Sequence, residues 1–155
     1  MAYMNVRRFE TRVSVVREPV LDDDSSAVRK GSVLRHPERV HRLFRFLMTR
    51  PTEEFHVALL NCKHRLVATA HVSTGTVTTS LVHPREVFRP ALLCPDVVAV
   101  VVVHNHPSGD PEPSQEDLAV TKRLREAGQL LGVTLLDHVV IGNGRYVSLR
   151  DRMDF

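Results

Sequence analysis

The sequence predicts an α/β fold in which helices flank a mixed sheet. Two observations support this prediction. Stretches with helical spacing alternate with short strand-like stretches, and the continuous apolar run Val97–Val103 is typical of a strand buried on both faces. With 155 residues and 43% hydrophobic content, the chain is long enough for one domain with a core and too short for two. We place this domain at residues 31–155 and treat residues 1–30 as an N-terminal extension.

Each predicted element follows from a local pattern. Pro37 stands at a helix start, and apolar residues recur after it at helical spacing. Pro84 begins a second helix, which Pro90 should kink or end early because a mid-helix proline loses a hydrogen bond. Gly132 lies just past the end of a third helix. The predicted elements, in chain order, are a strand at 12–17, a helix at 37–49, strands at 55–60, 65–72 and 76–82, a helix at 84–93, a strand at 97–103, a helix at 114–131, and strands at 133–141 and 145–149.

Composition excludes several classes of protein. No apolar run approaches membrane-spanning length, so we expect no membrane association. The first residues, 1–12, lack the apolar segment of a secretory signal. The chain has two cysteines, Cys62 and Cys94, and nothing requires a disulfide between them. These features predict a cytoplasmic location, where thiols stay reduced.

The charge is unevenly distributed. The net charge is +3, but residues 1–50 carry 11 Lys and Arg against 6 Asp and Glu, whereas the remainder is slightly acidic. A basic stretch at residues 35–50 could make weak contact with nucleic acid or with an acidic partner. The alternative is a solvated basic surface without a partner.

The most informative stretch is residues 104–117, His-Asn-His-Pro-Ser-Gly-Asp-Pro-Glu-Pro-Ser-Gln-Glu-Asp. His104 and His106 are one residue apart, so on an extended segment both rings point the same way. The proline-rich loop that follows can bring Asp117, one turn into a helix, back over the two imidazoles. Two nitrogens and one oxygen leave one position open on a metal ion, which is the ligand number of catalytic zinc.

Two positions around this stretch have alternative interpretations. Ser114 with Asp117 also fits a helix N-cap with an acid three residues later, a pattern that needs no metal and is compatible with one. His138, in an apolar strand, is either a satisfied buried histidine or a neighbour of the metal ligands. We interpret the scattered histidines as surface or structural residues: His36, His41, His56, His64 and His71.

The segment His104–Asp110, together with Ser114 and Asp117, resembles the JAMM (Jab/MPN) motif in the form carried by bacterial RadC-like proteins. The resemblance covers about residues 36–150 and includes Gly75-Thr76, residues 82–88, Thr121 and residues 136–142. It implies a cytidine-deaminase-like α/β sandwich that holds one zinc ion. Full-length RadC proteins also carry a helix-hairpin-helix region, which residues 1–35 do not resemble.

The resemblance implies a role for each residue of the motif. His104, His106 and Asp117 would hold the zinc ion, with water as the fourth ligand. Ser114 would donate a hydrogen bond to the oxyanion of the tetrahedral intermediate.

A glutamate before the first core strand would take the proton of the water. The family pattern, a Glu two residues before an aromatic or apolar strand residue, points to Glu53 before Phe55. Glu54 is the alternative base, and strand alternation lets only one of the two face the metal.

The resemblance therefore implies a zinc-dependent metallohydrolase of the JAMM type, a peptidase or isopeptidase that acts on a protein or peptide. The alternative is a non-catalytic module on the same fold that serves DNA repair or contacts nucleic acid through residues 35–50.

Overall fold

The computed structural model describes residues 28–75 and 82–153, which form a mixed sheet between two helical layers. The elements, in chain order, are α1 (Pro37–Leu43), a 3-10 helix (Arg45–Thr49), β1 (Glu54–Leu60), β2 (Leu66–Thr74), α2 (Pro84–Leu92), β3 (Ala99–Asn105), α3 (Gln115–Leu131), β4 (Thr134–Ile141) and β5 (Tyr146–Ser148). The strand order is β2-β1-β3-β4-β5. Strands β3 and β4 are parallel, and the other three neighbouring pairs in this sheet are antiparallel. The predicted mixed sheet flanked by helices is confirmed.

The central strand β3 is buried along its whole length, as the apolar run predicts. Val100 and Val102 pack under α2 and α3, whereas Val101 and Val103 pack against α1 and the 3-10 helix. A strand covered on both faces has no solvated side, so its sequence shows no alternation. The strand begins and ends two residues later than predicted, which places His104 inside the sheet, on the face of α2 and α3.

The predicted continuous helix at 37–49 is wrong. The α-helix ends at Leu43, and Phe44 leads into the tighter 3-10 turn. In a 3-10 helix residues three apart lie on one side, so Phe44 and Leu47 can both be buried against the sheet. Uniform helical spacing does not distinguish the two helix types over so short a stretch.

Early termination of α2 at Pro90, one of the two expected effects of this proline, is wrong, because α2 continues to Leu92. The other expected effect, a kink, stays a prediction. Proline removes only its own backbone donor, and it stands in the last turn of the helix. The following turn still closes, since the backbone nitrogen of Leu93 donates to the carbonyl of Arg89 at 3.2 Å.

Several predictions lie outside the described residues. These are the strand at 12–17, the strand at 76–82 apart from its last residue, and most of the extension at 1–30. The boundary between the extension and the domain at 31–155 stays a prediction. Across residues 28–75 and 82–153, no helix is both long and apolar enough to cross a membrane.

A close approach between two loops positions the segment after β3. A Cβ atom at Gly142 would lie 2.3 Å from the carbonyl oxygen of Gly109 and 2.7 Å from Pro111, so only glycine fits there. The contact is held by hydrogen bonds from His106 N to Ile141 O and from Asn143 N to Gly109 O, at 2.9 and 2.8 Å. The backbone of His106 is therefore fixed against the end of β4.

Candidate metal centre

The structure brings His104, His106 and Asp117 together where β3 ends and α3 begins. Nε2 of His104 lies 3.0 Å from Nε2 of His106 and 3.2 Å from Oδ1 of Asp117, and Nε2 of His106 lies 3.4 Å from Oδ2 of Asp117. Ligand atoms about 2.0–2.1 Å from a tetrahedral zinc ion are about 3.3 Å from one another. The three side chains have the spacing that such an ion requires.

A chain of buried hydrogen bonds places a proton on Nδ1 of His104. The hydroxyl of Thr121 donates its single proton to the carbonyl of Asp117 at 2.6 Å, so it can only accept from Nδ1 of His138, also at 2.6 Å. Burial is the main effect that holds the pKa of His138 well below its ordinary value, so this ring is neutral. Its Nε2 therefore accepts from Nδ1 of His104 at 2.8 Å. When the ring of His104 is neutral, its Nε2 therefore has a lone pair that faces the site.

His106 is oriented in the same way by a backbone partner. Its Nδ1 lies 2.8 Å from the carbonyl oxygen of Asp110, which can only accept, so Nδ1 carries a proton. In the neutral ring Nε2 then presents a second lone pair to the site. This arrangement, in which the distal ring nitrogen donates to a backbone carbonyl, is typical of metal-bound histidine.

Asp117 completes the site as a carboxylate. Burial would raise the pKa of Asp117, but hydrogen bonds with His104, His106 and Ser114 outweigh it and hold that pKa well below the usual range. The pKa of His106 is raised, chiefly by its hydrogen bond with Asp117. Without a metal ion, a proton on Nε2 of His106 can satisfy this carboxylate. When both rings are neutral, two lone pairs and the carboxylate converge there and can hold a cation. The donor set fits one metal ion.

Ser114 and Asp117 also form the predicted helix cap. The backbone nitrogen and the hydroxyl of Ser114 both donate to Oδ2 of Asp117 at 2.7 Å, and the backbone nitrogen of Asp117 donates to Oγ of Ser114 at 3.1 Å. This reciprocal capping box fixes the first turn of α3. The two interpretations of Ser114 are therefore compatible in the structure, because the cap holds Asp117 in place beside the histidines.

The two adjacent glutamates have different surroundings. Phe55 stacks on the ring of His104 at 5.8 Å with 11° between the planes. If the alternation of β1 extends to Glu53, just before the strand, Glu53 shares the face of Phe55. The charge of Glu53 contributes to the raised pKa of His106, after the larger effects of Asp117, burial and Asp110. This placement supports Glu53 as the base, a role that stays a prediction.

Glu54 faces away from the two histidines of the metal centre. One of its carboxylate oxygens lies 3.1 Å from Nε2 of His56, and the other lies 3.4 Å from Nε of Arg50. Its side chain therefore takes part in a different group of residues, on the side of the sheet that α1 covers.

That second group was missed from the sequence, where His56 and His71 were interpreted as surface or structural residues. In the structure these two histidines and Glu54 bring ligand atoms within 4.8 Å of one another. The spacing of Glu54 and His56 was a usable signal, since residues two apart share a face of a strand. The contribution of His71 could not be predicted from the sequence, because it depends on the register of β1 against β2.

Contact of residues 35–50 with nucleic acid stays a prediction. Arg39 donates to the carbonyl of Val33 at 3.1 Å, and Arg50 lies over the ring of Phe46 at 5.5 Å while it pairs with Glu54. At least these two cations are engaged within the chain.

Curated relatives share much of this sequence. The UPF0758 protein of Caldanaerobacter subterraneus is 52% identical over 100 residues, which cover 64% of this chain and 42% of the relative. The UPF0758 protein of Symbiobacterium thermophilum is 50% identical over 114 residues, which cover 71% of this chain and 48% of the relative. The UPF0758 protein of Syntrophotalea carbinolica is 48% identical over 126 residues, which cover 81% of this chain and 55% of the relative. The chain thus spans about half the length of these relatives, and their names assign no activity.

The family model described as the RadC-like JAB domain matches residues 34–154. The match contains both histidines, Ser114 and Asp117 of the candidate centre, as well as Thr121 and His138 that support it. It covers most of the chain and agrees with the observed α/β architecture. The chain therefore belongs to the RadC-like JAB domain family.

Proposed function

We propose that the protein is a zinc-dependent hydrolase that cleaves peptide or isopeptide bonds of a protein or peptide substrate. The observation that carries this proposal is the convergence of two imidazole lone pairs and a carboxylate at the end of β3. A set of two nitrogens and one oxygen suits zinc and leaves a fourth position for water or substrate.

Cys62 and Cys94 are both free thiols, which supports the predicted cytoplasmic location.

The open side of the centre lies at His106. The side chain of His106 is 15% exposed, whereas those of His104 and Asp117 are 0% and 1% exposed. A substrate would therefore approach past His106, while His104 and Asp117 form the closed floor of the site. This asymmetry is expected of a catalytic centre, because a structural zinc site closes all four positions with protein ligands.

When bound, zinc would supply a Lewis acid that polarises the scissile carbonyl and makes the attacking water more acidic. Glu53 accepts a proton from that water and returns it to the leaving amine nitrogen. The hydroxyl of Ser114 rotates from Oδ2 of Asp117 towards the carbonyl oxygen that gains negative charge, and donates to it. Oγ of Ser114 can keep its bond from the backbone nitrogen of Asp117 during this rotation, so the cap is retained.

Cleavage of a quenched fluorescent peptide library and of an isopeptide-linked substrate tests this proposal. We expect the zinc-loaded protein to hydrolyse members of one of these sets. A chelator should abolish the activity, and added zinc should restore it. Hydrolysis that survives complete metal removal, or no hydrolysis of either set at full zinc loading, would contradict the proposal.

Replacing Thr121 by valine is expected to weaken zinc binding without unfolding the protein. Valine has nearly the same shape but lacks the hydroxyl that fixes the proton of His138, and through it the orientation of His104. Loss of such an outer partner lowers metal affinity by roughly 10–100-fold. Competition with a chromophoric chelator measures the effect. Thr134→Val, at an exposed position of β4, is the control, and equal affinities for the two variants would refute the role of this hydrogen-bond chain.

A further inference from the structure

A second set of ligand side chains lies on β1 and β2, outside the centre described above. Nε2 of His56 is 3.1 Å from Oε2 of Glu54, and the rings of His56 and His71 meet edge to face at 5.0 Å and 72°. One ligand atom from each of these three residues lies within 4.8 Å of the others. A small rotation of the exposed His71 would close this group to the spacing of a metal site.

The group is on the opposite face of the sheet from His104. Phe55 points towards His104, so its neighbours Glu54 and His56 point towards the layer formed by α1 and the 3-10 helix. There the ring of His56 packs between Phe44 and Phe46, with centroids 5.7 and 5.6 Å away. Adjacent residues of one strand therefore serve two separate sites.

The surroundings fix Glu54 and His56 and leave His71 free to rotate. Oε1 of Glu54 faces Nε of Arg50 at 3.4 Å, which leaves Oε2 directed at His56. Nε2 of the exposed His71 lies 2.8 Å from Oγ1 of Thr74, a contact that the ring would exchange for the ion when it rotates. His56 and His71 are also directly paired across the two strands. His56 is therefore buried and fixed, whereas His71 is exposed and adjustable.

We propose that Glu54, His56 and His71 form a second site for a divalent transition-metal ion. Two imidazoles and one carboxylate suit Zn²⁺, and also Cu²⁺ and Ni²⁺, with solvent in the remaining positions. The site binds more weakly than the centre at His104, because it is partly exposed and the cation of Arg50 lies beside its carboxylate.

An ion at this site would join the edge strand β2 to β1 at a β-bulge. Phe55 pairs with Ser73 and His56 pairs with His71, so Val72 is the extra residue of the bulge. The carbonyl of Glu53, just before β1, accepts from Gly75 just after β2 at 2.9 Å. The ion would thus fix the strand pair that carries Glu53.

Zinc titration of the full-length, metal-free and tag-free chain by calorimetry tests the second site. We expect two classes of site in the wild-type protein, one tight and one weak. His71→Ala and Glu54→Gln should lower the affinity of the weak class by more than the roughly tenfold cost of losing an outer partner, with the tight class unchanged. Circular dichroism verifies that both variants remain folded.

His36→Ala is the matched control, because it removes another exposed histidine that forms no side-chain cap for α1. This variant should keep both classes. A wild-type protein that shows the tight class without a weak class, or a weak class that survives both His71→Ala and Glu54→Gln, would overturn the second site. Absence of the tight class alone would count against the proposed hydrolase and leave the second site standing.

Discussion

Replacing Asp117 by asparagine is expected to empty the metal centre and abolish hydrolysis. The carboxylate supplies one of the three ligands and the only negative charge among them. Losing a direct ligand should reduce zinc affinity by more than the roughly 10–100-fold that loss of an outer partner costs. The amide oxygen of asparagine can still accept from the backbone of Ser114, so the cap of α3 and the fold should persist.

Elemental analysis of the purified variant measures this effect, and Glu116→Gln is its control. Glu116 lies in the same first turn of α3 and is exposed, so its substitution changes the charge at the helix start by the same amount. We expect Glu116→Gln to contain as much zinc as the wild-type protein. We expect Asp117→Asn to contain no tightly bound zinc. Full tight binding by Asp117→Asn would remove this residue from the ligand set.

Replacing Glu53 by glutamine is expected to lower kcat by about 10²–10⁴-fold, the usual contribution of a general base. The tight zinc content should not change, because Glu53 faces the centre without belonging to the three ligands that converge there. Steady-state cleavage together with metal analysis separates these two effects.

Glu54→Gln provides the discriminating comparison, since it removes the neighbouring carboxylate on the opposite face of β1. We expect a much smaller change in kcat for this variant. If Glu54→Gln lost more activity than Glu53→Gln, the assignment of the base would be reversed.

The convergence of His104, His106 and Asp117 could be predicted from the sequence because they lie close together along the chain. His104 and His106 share one strand end, and the loop to Ser114 is short enough for Asp117 to return. The strong apolar signal of β3 located the strand that carries them. Local spacing therefore sufficed to group the three candidate ligands and to predict the capping box.

Features that depend on tertiary packing were less accessible. The role of His138 was left open because its link to His104 requires β4 to pair in parallel with β3, 34 residues away. The second group at His56 and His71 required the register of an edge strand with a bulge. Likewise, the division of the helix at 37–49 follows from burial of Phe44 and Leu47, which spacing alone does not reveal.

A crystal structure of the zinc-loaded protein, with anomalous data collected at the zinc absorption edge, tests the central claim most directly. We predict an anomalous peak about 2.0–2.1 Å from Nε2 of His104 and Nε2 of His106, with Asp117 as the third protein ligand. A map without a peak among these three residues, from crystals whose protein is shown to contain zinc, would contradict the assigned centre.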